Sequence, residues 1–119
     1  MSNCTPVIFS AVYAFFEERG ATDRFNALVS NRVRNGDVET HVEVRVLLGT
    51  GGEYARVVYL VLDKDPSTYE VTVAYSIQDL PESGIGMSRD RARVFHADVA
   101  LVEKMLAFVD ERVEKRVAA

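Results

Sequence analysis

Few residues of this chain are of types that do chemistry, so each can be weighed on its own. His41 stands between Glu39 and Glu43. On a strand, residues two apart project from the same face, so the three side chains would make a weak metal or acid–base cluster. The spacing matches no established ligand set, and Arg32 and Arg45 can neutralise the acids, so a solvated charged face is the better reading. His96 follows Phe95 ahead of the last apolar stripe and reads as a loop or capping residue. Cys4 and a distant histidine are the ingredients of a nucleophilic pair. No feature of the sequence brings them together, and Cys4 falls in a terminal segment expected to fray. Ser10, Ser30, Ser76, Ser83 and Ser88 lie in no GxSxG elbow. The expectation is a chain with no catalytic residue, no metal and no cofactor.

One segment has the composition of an anion site. Gly84 and Gly86 precede Ser88, Arg89, Arg91 and Arg93. A glycine loop running into a helix N-terminus can cradle an anion with backbone amides, and the arginines add charge. The full dinucleotide or P-loop fingerprint is absent, and those motifs belong to βαβ units. A plain connection, its arginines paired with Asp90, Glu82 and Asp98, is the stronger reading.

The elements that would position these residues are legible from periodicity. From Val38 to Leu48 the even positions are apolar or Thr40, and the odd ones include Glu39, His41, Glu43 and Arg45. Tyr69 to Ile77 alternates in the same way. Tyr54 to Leu62 is apolar at nearly every position, as in a central strand with both faces covered. Asp23 to Arg34 fits a strand or a helix. Asn35-Gly36 favours the strand, because this dipeptide tolerates the positive φ angles of a two-residue hairpin turn; it also suits a helix C-terminus. The hairpin sets Phe25 opposite Val46, Ala27 opposite Val44, Val29 opposite Val42, Val33 opposite Val38 and Arg32 opposite Glu39. A five-residue loop, Gly49 to Glu53, then sets Val44 opposite Val58 and Val42 opposite Leu60. A loop from Asp63 to Thr68 sets Leu60 opposite Val71 and Val58 opposite Val73. One apolar face then runs across four strands.

On the other face the same register leaves Val57, Tyr59 and Val61, with Ala55, as an apolar stripe. His41, Glu43 and Arg45 flank it on one side and Thr72 on the other. An apolar stripe rimmed by charge is the composition of a protein contact, and it can also pair with itself in a homodimer. The alternative is that the last helix covers it.

Helices are expected at both ends of the sheet. Pro6 to Arg19 has Thr5 as a cap and Gly20 as a stop. Asp98 can cap a last helix carrying Leu101, Val102, Met105, Val109 and Val113 on its apolar side, although a continuous helix from Ser88 also fits. The predicted fold is α+β, one domain over 1–119: an N-terminal helix, a four-stranded antiparallel meander and a long C-terminal helix. In outline the order resembles the helix-on-sheet arrangement of cystatin-like folds, and a fold alone does not give a function.

Composition bounds the partners. The 119 residues are 48% apolar and 27% charged, with net charge −4. That balance argues against a general nucleic-acid binder. No apolar run reaches the roughly 18 residues of a spanning helix, no basic residue precedes Val7–Phe16, and a lone cysteine suits a reducing compartment, so the expectation is a cytoplasmic protein. Three functions follow. The first is a non-catalytic protein-binding module, such as a regulator, inhibitor or assembly factor, acting through the second sheet face. The second is a small-molecule binder or small enzyme with a pocket between helix and sheet, lined by Phe9, Tyr13, Phe16, Tyr69 and Tyr75, with Arg56 as its polar group. The third is a local anion or nucleic-acid contact through the arginines.

Overall fold

A computed structural model describes residues 4–49, 52–65, 68–78 and 88–118. Its elements follow the expected order: helix α1 (Cys4–Glu17), a 3₁₀ turn at Thr22–Arg24, strands β1 (Phe25–Arg34), β2 (Asp37–Leu48), β3 (Glu53–Asp65) and β4 (Thr68–Gln78), and helix α2 (Arg89–Ala118). The four strands form one antiparallel sheet in the order β1-β2-β3-β4. The thirty residues of α2, at 1.5 Å per residue about 45 Å long, run nearly the full 50 Å of the molecule's longest dimension.

α1 begins at Cys4, two residues before Pro6, and it ends by a geometry written in the sequence. Gly20 has a φ of 63°. The Gly20 N–H donates to the Glu17 carbonyl and the Ala21 N–H to the Phe16 carbonyl, at 3.0 and 2.9 Å. These two bonds are a Schellman motif, which satisfies carbonyls that the helix leaves open. Cys4 is part of the buried core and not of a frayed end.

The β1–β2 turn is the predicted hairpin. Asn35 and Gly36 both have positive φ, 53° and 87°, and every pair expected from Phe25–Val46 to Arg34–Asp37 is present. β3 departs from the expectation by one residue. Val44 faces Val57 and Val42 faces Tyr59, and β4 sets Val73 opposite Tyr59 and Val71 opposite Val61. The cause lies in the two connections. The β2 ladder closes at Leu48–Glu53, leaving a four-residue loop whose first and last glycines, Gly49 and Gly52, have φ of 65° and 89°. A register shift between Asp63 and Asp65 then restores β4 to its expected face; such bulges insert one unpaired residue. The two slips cancel everywhere except in β3, whose faces are exchanged.

The core therefore contains Val42, Val44, Val46 and Leu48 of β2 and Ala55, Val57, Tyr59 and Val61 of β3. Both helices lie on this face. α1 contributes Ile8, Ala11, Val12, Phe15 and Phe16, and α2 contributes Phe95, Val102, Met105, Val109 and Val113. Each fully buried aliphatic side chain is worth about 1.5–3 kcal/mol relative to exposure. The helices meet through Phe15 and Phe108, edge to face at 5.4 Å. Each ring is covered by an arginine four residues on, Arg19 at 3.7 Å and Arg112 at 3.2 Å. The same two guanidinium groups donate to the Phe15 and Phe108 carbonyls.

α2 begins earlier than an Asp98 cap would have it. Ser88 is the cap: its Oγ accepts the Arg91 N–H at 3.2 Å. Asp98 sits inside the helix, buried, where its Oδ2 accepts from Arg24 Nη2 at 2.5 Å and from the Gly49 N–H at 2.8 Å. His96 is an exposed helical residue rather than a loop or a cap. The spacing could have shown this, since Phe95, Asp98, Val102, Met105 and Val109 recur every three or four residues on one side.

Candidate protein-interaction surface

With both helices on one side, the sheet has a second face that neither covers. β2 supplies Glu39, His41, Glu43, Arg45 and Leu47, and β3 supplies Tyr54, Arg56, Val58, Leu60 and Leu62. β4 supplies Glu70, Thr72, Ala74 and Ser76, with Leu28 and Ser30 from β1 alongside. Of the residues expected to form an interface, His41, Glu43, Arg45 and Thr72 are on this face. Val57, Tyr59 and Val61 are not: they are 0%, 1% and 0% exposed on the opposite side, sealed beneath the helices. The apolar stripe of the open face is instead Val58, Leu60 and Leu62, each partly exposed, with Leu28 and Leu47 half exposed beside it.

Charged groups of both signs flank the stripe at its two ends. At one end Glu43 accepts from Arg45 Nε at 2.9 Å and from Arg56 Nε. Partial burial works to raise the Glu43 pKa, and the hydrogen bonds and charges of Arg56 and Arg45 outweigh it, so the carboxyl titrates below its ordinary value. Arg45 also lies 5.4 Å from the centre of the Tyr54 ring, within cation–π range. At the other end Leu60 and Leu62 floor a recess of about 340 Å³ walled by Asp37, Glu39, Glu70 and Thr72. His41 Nε2 lies 3.8 Å from Glu39 Oε2, beyond hydrogen-bonding distance. Glu43 is held by the two arginines, so the three side chains do not converge on one point. Among the described residues, no three histidine, cysteine or carboxylate side chains are grouped to hold a metal.

The helix–sheet pocket loses its expected polar group. Arg56 faces the open side, bound to Glu43. Phe16 stacks on Phe25 at 4.8 Å within the core, and Tyr13 is largely exposed.

The expected anion site is divided. Gly84 and Gly86 lie outside the described residues. Ser88 caps the helix, Arg89 is exposed, and Arg93 lies 3.9 Å from Asp90. Arg91 turns inward, where its Nη2 meets Glu53 Oε1. Glu53 is 1% exposed, so Arg91 is the counter-charge of a buried carboxylate. A buried acid at the start of a strand gave no periodic signal that sequence reasoning could have used.

Compared with protein-family models, curated proteins and solved structures, the chain matches none. No described helix is long and apolar enough to cross a membrane.

Proposed function

We propose that this protein is a non-catalytic, cytoplasmic protein-binding module, a regulator, inhibitor or assembly factor, that acts through the open face of its sheet. The observation that carries the reading is the segregation of the fold. Two helices cover one face, and the other presents Val58, Leu60 and Leu62 between the Arg45–Glu43–Arg56 group at one end and, at the other, Asp37, Glu39 and Glu70, with Arg34 and Arg32 at the β1 positions opposite the first two. An apolar strip rimmed by charged groups gives a partner both burial and orientation.

The experiment is a comparison of two proteins. Wild type and Leu60→Lys are used side by side to isolate partners from extract of the native host, and each captured protein is then purified and titrated. The expected result is a partner whose affinity falls at least about tenfold with Leu60→Lys while circular dichroism stays unchanged. A purified partner that binds both proteins equally moves the contact off this face. If no captured protein binds the purified wild type, the module reading fails.

A further inference from the structure

The sheet has two edges, and they differ in a way that selects a partner. Among the described residues, β1 and β4 each have a hydrogen-bonded neighbour on one side only. A strand in that position exposes a row of unpaired backbone donors and acceptors, and proteins usually blunt it with charge, proline or a bulge. β1 is blunted: its ten residues include Arg32, Arg34, Asn26, Ser30 and Asn31. β4 is not. Its eleven residues contain one charge, Glu70, and no proline or glycine.

We propose that β4 pairs antiparallel with β4 of a second copy of this chain, about a two-fold axis at Val73, to give a continuous eight-stranded sheet. Residues directly opposite in an antiparallel pair lie on the same face, so apolar meets apolar only if the axis passes through a residue. Val73 is the central residue of Thr68–Gln78, and an axis there pairs the whole strand. Val71 then faces Tyr75 of the second copy, Thr72 faces Ala74, and Glu70 faces Ser76. No like charges meet, and Val73 and Tyr75, each 37% exposed, become interior to the joined sheet. β1 has no equivalent arrangement over its whole length. An axis at Val29 sets Leu28 against Ser30 and Ala27 against Asn31, and an axis at Ser30 sets Leu28 against Arg32 and Val29 against Asn31. β1 is complementary to itself only about Leu28, where Ala27 meets Val29 and Asn26 meets Ser30, but that axis sets Phe25 against Asn31 and leaves 32–34 outside the pairing, so β4 is the edge that pairs over its whole length.

The dimer uses the edge of the sheet rather than its open face, so it stands or falls apart from the module reading. It is tested by sedimentation equilibrium and by cross-linking of the full chain. Wild type is expected to be a dimer. Val73→Lys sets two ammonium groups against each other across the axis and is expected to raise the dissociation constant at least about tenfold with unchanged circular dichroism. Val73→Cys is expected to form a disulfide-linked dimer under mild oxidation. Ala74→Cys is the control for register. Its two copies stand roughly 8 Å apart, beyond disulfide reach, and are expected to stay unlinked. Wild type carries only the buried Cys4 and supplies the blank. A monomeric wild type overturns the proposal. So does a dimer that Val73→Lys leaves intact, or one in which Val73→Cys stays unlinked or Ala74→Cys links instead.

Discussion

Along β3, Ala55, Val57, Tyr59 and Val61 are buried beneath the helices, while Arg56, Val58, Leu60 and Leu62 floor the open face. The two sets come from one strand and are of nearly the same character. Apolarity therefore does not say which side of such a strand goes inside. Two other features do. The first is loop length, since four residues between Leu48 and Glu53 set one phase and five would set the other. The second is Arg56. On the inner side its guanidinium would be a charge without a partner among valines, which costs several kcal/mol. On the outer side it meets Glu43.

This difference can be broken or sharpened by substitution. The largest effect is expected from Val57→Asp, which puts a carboxylate into the core and removes about 4 kcal/mol or more of stability by urea denaturation. Leu60→Lys, three residues on, is expected to change it by less than about 1 kcal/mol. Equal losses would erase the distinction between the faces. Next is Arg91→Ala, which strips the counter-charge from buried Glu53. Its expected loss is about 3 kcal/mol, and Glu53→Gln in the same background should recover part of it. A neutral Arg91→Ala would mean that the fold does not depend on the contact between Arg91 and Glu53.

Tyr59→Phe separates burial from hydrogen bonding on the inner side. The Tyr59 hydroxyl is buried with no hydrogen-bond partner among the described residues. Burial, helped by the charge of Asp110, pushes its pKa up, so it stays protonated. Removing it is expected to leave stability unchanged or raise it by up to about 1 kcal/mol. A loss of that size would reveal a partner for the hydroxyl.

The smallest effect belongs to the open face and to acid. Glu43 has a folded pKa below its ordinary value of 4.5, so the unfolded chain takes up its proton first as pH falls. The stabilisation is present above the ordinary value and is lost as pH drops through the folded one. Glu43→Gln is expected to flatten that acid limb of the thermal stability curve, and an unaltered limb would show that the two arginines do not hold the charge.

The hairpin at Asn35-Gly36 was readable to the residue, because its turn chemistry and the alternation of β2 each specify one phase and agree. The faces of β2 and β4 were readable from alternation alone. β3 was not, because a strand apolar on both sides carries no phase, and the expected register put Arg56 into the core. Asp98 looked like a cap because it is an acid ahead of an apolar stripe. Its place within that stripe marks it as a buried group that meets Arg24 and Gly49, a contact that no local pattern encodes. The candidate site shared the fate of β3: its β2 and β4 members lie where alternation put them, and its β3 members are in the core.

The bond between Arg24 and Asp98 joins positions 74 apart in the chain. The three hairpins of the meander can each close between neighbours, whereas this contact must wait for a loop whose closure entropy grows with the logarithm of its length. Its contribution belongs to the final docking of α2 and not to the barrier before it. Asp98 should therefore act as a latch in time: its loss would quicken the opening of the native state and leave the rate of folding nearly as it was.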